Sequence, residues 1–321
     1  MMAQADKRTN VAADGASGVE QITNGVWRLR ILFVNVYFIA ADDGQWVLVD
    51  AGLKGSSRKI TEAAAILFGH NRPPAAIILT HGHFDHIGAL PRLLQRWDSP
   101  VYAHPLELPY LTGQAAYPPA DPFAGGGMMS WVSFLYPNEP INLGNRVEAL
   151  SKEGSLPVLS RWRYIHTPGH APGHISLFRD TDGILIAGDA FVTTRQESAF
   201  SVLLQKKQVS GPPRYFTYDW EEAAASVKKL QQLNPLVAVT GHGKPVKGNE
   251  LTDGLAHLVR HFDRIAVPKA GRYVDTPPTV NRRGIVRLPA NKHTSRNRLV
   301  LASIGIAVAA GLALLWKDRL K

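Results

Sequence analysis

Apolar and polar positions divide this chain into short extended runs and two-faced helical stretches. From Val26 the pattern is extended: VWRLRI, NVYFIAA and QWVLVDAG are β-branched and aromatic runs, interrupted at residues 42–44. SRKITEAAAILFGH has helical spacing, and AAIILT behind it is a short apolar strand. IGALPRLLQRW predicts a helix with Pro91 in its first turn, where a missing N–H does no harm. PVYAH, RYIHT, HISLFRD and GILIAGDA predict further strands. DWEEAAASVKKLQQL predicts a helix with Asp219 as N-cap and Glu221 and Glu222 at the positive end of the dipole. PLVAVTGHG is a strand running into a Gly-rich turn, and ELTDGLAHLVRHFDRIA a last helix. With no short-period repeat, this order predicts an α/β domain over residues 23–265, two sheets face to face with helices outside.

Two stretches break the pattern. Residues 108–140 and 193–220 are rich in Gly, Pro and aromatics with little periodicity. Long irregular segments in a compact domain predict a lid or pocket wall. Residues 1–22 are small and polar, without the apolar stretch of a signal peptide, and read as a disordered lead-in. At the other end, 266–298 reads as a Pro- and Arg-rich linker. It leads to LVLASIGIAVAAGLALLW (Leu299 to Trp316), eighteen residues without a charge, and a tail, 317–321. At ~1.5 Å per residue such a helix covers about 27 Å, close to a bilayer core of roughly 30 Å. The expectation is a single-pass C-terminal membrane anchor, with Trp316 and KDRLK at the interface.

Composition changes the picture in two ways. The net charge of +10 suggests nucleic acid until it is located. Residues 266–321 hold eleven Lys/Arg against two Asp, so the rest of the chain is close to neutral and no nucleic-acid partner is expected. The flank 266–298 has eight basic residues against three in the tail, so by the positive-inside rule the folded domain is expected in the cytoplasm. The absence of cysteine excludes disulfides and thiolate ligands, so a metal site must use imidazole and carboxylate.

Such a site is suggested by THGHFDHIGAL. His81 and His83 alternate with Gly82 and can leave one side of an extended turn, while Asp85 and His86 follow where the chain bends into a helix. One segment could thus give two ligands to each of two ions. Completing them requires other turns: His166, His170 and His174 in HTPGHAPGHIS, Asp189 in IAGDA, and His242 in TGHG. His70, His104, His166 and His293 read as packed or surface residues. His257 and His261, four apart on the last helix, lack the glutamate of a zincin motif.

LVDAGL, THGHFDHIG, HTPGHAPGHIS, IAGDA and TGHG, in this order, resemble the five motifs of the metallo-beta-lactamase-fold hydrolases, in their glyoxalase II and lactonase-like branch. The resemblance covers roughly residues 25–265. It implies an αβ/βα four-layer sandwich with two metal ions, usually zinc, with iron or manganese as alternatives. It implies His81, His83 and His170 on the first ion, Asp85, His86 and His242 on the second, and Asp189 between them. Asp50 and His174 are implied as supports behind the ligands. The implied chemistry is attack by metal-activated water, with Asp85 carrying the proton, on an ester, thioester, lactone or phosphoester of a small molecule.

Departures from the branches narrow this. Asp189 stands where true beta-lactamases have cysteine or serine. Phe191 and no tyrosine follows it, against a lactonase. A basic linker and a span stand where glyoxalase II enzymes have a helical domain. Two other readings remain: a mononuclear iron dioxygenase acting on persulfides, which leaves Asp85, His86 and His242 free, and a non-catalytic membrane-tethered binding module.

Overall fold

A computed structural model describes residues 18–151 and 154–291. The expected span 299–316, the tail 317–321, the end of the expected linker and most of the lead-in lie outside the described residues. Among the described residues no helix is long and apolar enough to cross a membrane.

Seven strands form the first sheet in chain order: β1 (Val19–Thr23), β2 (Val26–Ile31), β3 (Val34–Ala40), β4 (Trp46–Val49), β5 (Ala76–Ile78), β6 (Val101–Ala103) and β7 (Val147–Ala149). Pairing is antiparallel from β1 to β4 and parallel from β4 to β7. The second sheet holds β8 (Trp162–His166), β9 (Ile175–Arg179), β10 (Ile184–Ile186), β11 (Val237–Val239) and β12 (Val246–Lys247), in the order β12-β11-β10-β9-β8. The helices are α1 (Ser57–Phe68), α2 (Phe84–Ile87) and α3 (Leu90–Arg96), short pieces α4 (Leu108–Leu111), α5 (Met128–Trp131) and α6 (Ala199–Leu204), then α7 (Trp220–Gln232), α8 (Gly248–Arg260) and α9 (Phe262–Ile265).

Side chains sort these elements into layers. On β4, Trp46 and Leu48 pack with Ile60 of α1 and Leu93 of α3, while Val47 and Val49 face the other sheet. On β10, Ile184 and Ile186 meet them between the sheets, and Leu185 packs outward against Val227 of α7 and Leu255 of α8. Strands buried on both faces read as unbroken apolar runs, as QWVLV and GILIA do. The order is therefore helix, sheet, sheet, helix. Trp46 anchors the outer layer, stacked on Phe68 with centroids 4.6 Å apart and edge-on to Trp97. Truncating such a side chain costs about 3–5 kcal/mol.

Most predicted elements fall where the pattern put them. Asp219 caps α7 by accepting from Glu222 N at 3.0 Å, and Pro91 lies in the first turn of α3. Three boundaries differ. The lead-in ends early, because β1 begins at Val19 and pairs along β2. The last predicted helix breaks at His261, between α8 and α9. The segment read as a linker is, as far as Asn291, part of the domain. It carries a hairpin, β13 (Thr279–Asn281) and β14 (Gly284–Arg287), and Tyr273 is buried, its hydroxyl donating to Pro119 O at 2.7 Å. Its packing residues, Tyr273, Ile285 and Leu288, are spaced by prolines and arginines, so no window of composition reveals them.

Candidate metal centre

The site lies where the two sheets meet at one edge. β4 runs into Asp50, β5 into residues 80–86, β10 into Asp189 and β11 into His242, while the β8–β9 connection carries His170 and His174. Backbone bonds tie these loops across the sheets: Ile175 N donates to Thr80 O at 2.9 Å and Asn35 N to Gly241 O at 2.8 Å. Tyr37 and Asn35 of β3 hold the histidine loop of the other sheet, the hydroxyl on Thr240 O at 2.6 Å and the amide on Gly243 O at 2.9 Å. Loops held this way are preorganised.

All seven predicted ligands are buried and converge. Three groups have potential donor atoms within 4.8 Å of one another: His81, His83 and His170; Asp85, His86 and His242; and His81, His86 and Asp189. His83 Nδ1 lies 3.0 Å from His170 Nε2. Asp189 Oδ2 lies 3.5 Å from His170 Nε2, 3.6 Å from His86 Nε2 and 3.1 Å from His242 Nε2, within reach of both trios. Asp85 Oδ2 is 3.4 Å from His242 Nε2. Two donors on one tetrahedral cation at ~2.0–2.1 Å stand about 3.3 Å apart, so the spacings suit shared cations.

The outward nitrogens decide what the inward ones can do. His86 Nδ1 donates to Asp50 Oδ2 at 2.8 Å, and His242 Nδ1 to Phe33 O at 2.8 Å. The Thr80 hydroxyl gives its proton to Asp50, so at 3.1 Å it accepts from His81 Nδ1. The Tyr218 hydroxyl donates to Pro118 O and so accepts from His83 Nε2 at 3.2 Å. The Thr217 hydroxyl donates to Pro213 O and faces His170 Nδ1 at 3.4 Å. In each of the five rings the outward nitrogen has an acceptor, which leaves the inward one to offer a lone pair. His81 Nε2, His86 Nε2 and Asp189 Oδ1 are buried without a hydrogen-bond partner. Buried orphans of this kind call for an ion.

Charge separates the two trios. Burial, then neighbouring imidazoles, holds His81 and His83 well below the usual histidine range. Burial pushes His170 down to about 3. Burial also pulls on His86, but Asp50, Asp189 and Asp85 together outweigh it and raise His86 well above that range. His242 is raised in the same way, burial being outweighed by Asp189 and Asp85. Asp189 resists burial through His242 and His86 and is held well below the carboxylate range, whereas burial raises Asp85. A proton on His86 or His242 occupies the place a cation would take.

Asp50 and His174 stand behind these groups. Asp50, at φ 62°, receives Thr80 N, the Thr80 hydroxyl and His86 Nδ1. Asp tolerates the left-handed region better than most residues, at a cost of order 1 kcal/mol. His174 lies outside the three groups, and its Nε2 accepts from Asp189 N at 2.8 Å. Gly241 is required by closeness: a Cβ there would strike Asp189 Oδ1 and lie 2.8 Å from His86 Cε1. The remaining histidines stay apart from the centre. His104 and His166 stack on each other at 4.0 Å and His257 and His261 pair at 4.9 Å, while His70 is exposed and His293 is outside the described residues.

Sequence reasoning missed several contributors. Glu107 is buried and links the loops of the first trio: Oε2 accepts from Gly82 N at 2.9 Å and Oε1 from Gly173 N at 2.7 Å, with the Tyr117 hydroxyl also on Oε2. Burial pushes its carboxyl up to about 7, against the pull of these donors. Its signal was available, since Glu107 is the one charged residue between His104 and Asp121. The irregular stretches and the segment after 266 together supply an aromatic wall of Tyr110, Tyr117, Tyr215, Phe216, Tyr218 and Tyr273. Phe216 stacks on His83 at 4.6 Å, and Tyr117 lies at the same distance.

Comparison with known proteins agrees with this geometry. Residues 29–242 match the family model of the metallo-beta-lactamase superfamily. The chain is 45% identical over 247 residues to the probable metallo-hydrolase YflN of Bacillus subtilis (strain 168), covering 76% of this chain and 94% of that protein. It is 29% identical over 158 residues to a hydroxyacylglutathione hydrolase of Xylella fastidiosa (strain M12), covering 48% and 44% of the two. Among solved structures, a beta-lactamase domain protein from Burkholderia ambifaria shares the fold at a TM-score of 0.53 and 22% identity, over 78% of this chain and 79% of that one. The chain belongs to the metallo-beta-lactamase superfamily. Within that class it is a metal-dependent hydrolase.

Proposed function

We propose that this enzyme is a dinuclear hydrolase, zinc being the first choice of cation, acting on an ester, thioester, lactone or phosphoester. The observation that carries this is the hydrogen-bonded outward face of all five imidazoles, with the other nitrogens gathered with one another and with Asp85 and Asp189. His81, His83 and His170 would hold one ion, Asp85, His86 and His242 the other, with Asp189 reaching both. An imidazole and carboxylate donor set suits zinc, iron or manganese. When bound, such a pair supplies a Lewis acid and water of lowered pKa.

The chain's own residues do the rest. Asp85, raised by burial, is placed to accept the proton of an attacking water and return it to the leaving group. Asp50 and Tyr218 fix ring orientation from behind, and His174 fixes the backbone of Asp189. Phe216, Tyr117 and Tyr218 wall the first trio and exclude bulk water, which strengthens every charge interaction inside. The hydroxyacylglutathione hydrolase among the similar proteins favours an acyl substrate over a phosphoryl one.

The uncharged run 299–316 after a basic flank supports a membrane tether, with the catalytic domain on the cytoplasmic side. Protease protection reads that side: digestion of the domain in sealed inside-out vesicles is expected, and its protection there contradicts the orientation. For the activity, the full chain in detergent is assayed on ester, thioester, lactone and phosphodiester probes, with metal analysis of the same sample. About two ions per chain and hydrolysis abolished by chelation are expected. One iron per chain with no hydrolysis would sink the proposal in favour of an oxygenase.

A further inference from the structure

Six of the eleven large hydrophobic side chains that the described residues expose lie on two neighbouring segments. Trp131, Phe134 and Leu135 are at the end of α5 and in the 3-10 turn after it, and Phe200, Leu203 and Leu204 are on α6. They are between 43% and 78% exposed, and each set has the i, i+3, i+4 spacing of a single helical face. Met129 N donates to Glu197 O at 3.3 Å, one residue before Ser198, whose hydroxyl caps α6. The two faces are therefore joined.

This surface rims the site. Tyr136, next to Leu135, packs on Phe84 at 5.5 Å and on Phe216 at 5.9 Å, and Phe216 lies on His83. On the other side, Gln196 Nε2 stands 3.3 Å from His242 Nδ1. An exposed apolar patch beside a mouth marks an interaction surface.

Two observations say what covers it. First, α6 runs directly into exposed Lys206 and Lys207, the second also paired with Glu250 at 3.3 Å. Lysines beside an apolar face lay their stems along it and hold their charges at lipid headgroups. Second, the last described turns sit on the aromatic cluster behind the patch, since Ile285 and Leu288 pack against it as Met129 and Tyr136 do. After Asn291 the sequence continues through Lys292, Arg296 and Arg298 to the uncharged run. The seven residues 292–298 span at most about 25 Å, so a bilayer holding that run would lie within about that reach of Asn291, the last described residue.

We propose that the domain docks on an anionic lipid bilayer through the Trp131–Leu135 and Phe200–Leu204 faces, turning the mouth of the site toward the membrane. The docking builds on the proposed tether but is read separately from it. Because the chain has no cysteine, single labels are specific. The full-length variants Leu135→Cys, Leu203→Cys and Leu236→Cys, the last just before β11 at the end of that strand away from His242, each receive an environment-sensitive fluorophore. They are placed in phosphatidylcholine/phosphatidylglycerol vesicles carrying shallow nitroxide lipids.

Quenching at 135 and 203 at least about twofold stronger than at 236 is expected, reduced by Lys206→Glu with Lys207→Glu. Equal quenching at all three positions overturns the docking. So does a spectral shift at 135 and 203 without quenching, because a second copy or the chain's own ends would then cover the face. Carbonate extraction reads the tether alone: a chain that is extracted, yet quenched beforehand, keeps the docking and loses the span. Quenching needs no turnover, so failure of hydrolysis bears only on the reading of the site.

Discussion

His86 and Asp50 form the buried pair behind the second trio, His86 Nδ1 donating to Asp50 Oδ2 at 2.8 Å while His86 Nε2 faces Asp189. Asp50 also accepts both the amide and the hydroxyl of Thr80, the residue that orients His81. One carboxylate thus fixes a ring in each trio.

Asp50→Asn should therefore weaken both sites. An amide has one oxygen for three donors and turns an N–H toward one of them. Loss of such a support costs about 10–100-fold in metal affinity. Competition with a chelator measures it, and wild-type affinity for both ions would show that Asp50 orients nothing.

Asp85→Asn should remove the proton carrier while keeping the volume. A fall in kcat of roughly 10²–10⁴-fold is expected, the usual contribution of a positioned acid–base group. Metal analysis of the same sample separates loss of the ion from loss of the proton path. Undiminished kcat with two ions retained would assign the proton to another group.

The two trios should differ in their response to pH. His81, His83 and His170 are held low and stay neutral well into acid, so filling the first trio displaces no proton from them. His86 and His242 are raised and hold a proton more readily in the metal-free protein, so filling the second displaces more proton than filling the first. Affinity of the second ion should rise as pH rises and fall in mild acid, while the first is held. Calorimetry in buffers of different ionisation enthalpy counts the protons, and equal release at both steps would contradict the assignment.

Glu107 has its own signature. Its carboxyl is raised to about 7 in the folded chain, against an ordinary value of ~4.3. A raised acid keeps its proton longer when folded, so its contribution is fullest in acid and is lost as pH rises toward 7. Glu107→Gln should gain stability relative to the parent across that window and level off above it. Because Glu107 ties Gly82 to Gly173, the variant should also bind the first ion more weakly. Thermal melts from pH 4 to 8 test this, and a difference independent of pH would show that Glu107 titrates normally.

The sequence made the buried His/Asp groups legible and the wall illegible for one physical reason. A metal needs particular side chains on short turns, so His81, His83, Asp85 and His86 announce themselves within six positions. Strands such as β4 and β10 were legible because both their faces are buried. The wall needs only apolar bulk at the right place: Tyr117, Phe216 and Tyr273 come from three distant segments without periodicity. β13 and β14 are two short strands with little buried surface, which composition marks as a linker. Glu107 is legible only in hindsight, as a lone charge whose partners are backbone amides.

The most direct test of the account is anomalous diffraction from crystals of the metal-loaded chain, recorded at the zinc, iron and manganese edges. Two peaks about 3.5–4 Å apart are predicted, one among His81, His83 and His170, the other among Asp85, His86 and His242, with Asp189 reaching both. A single peak, or a pair bound away from these seven side chains, would contradict it.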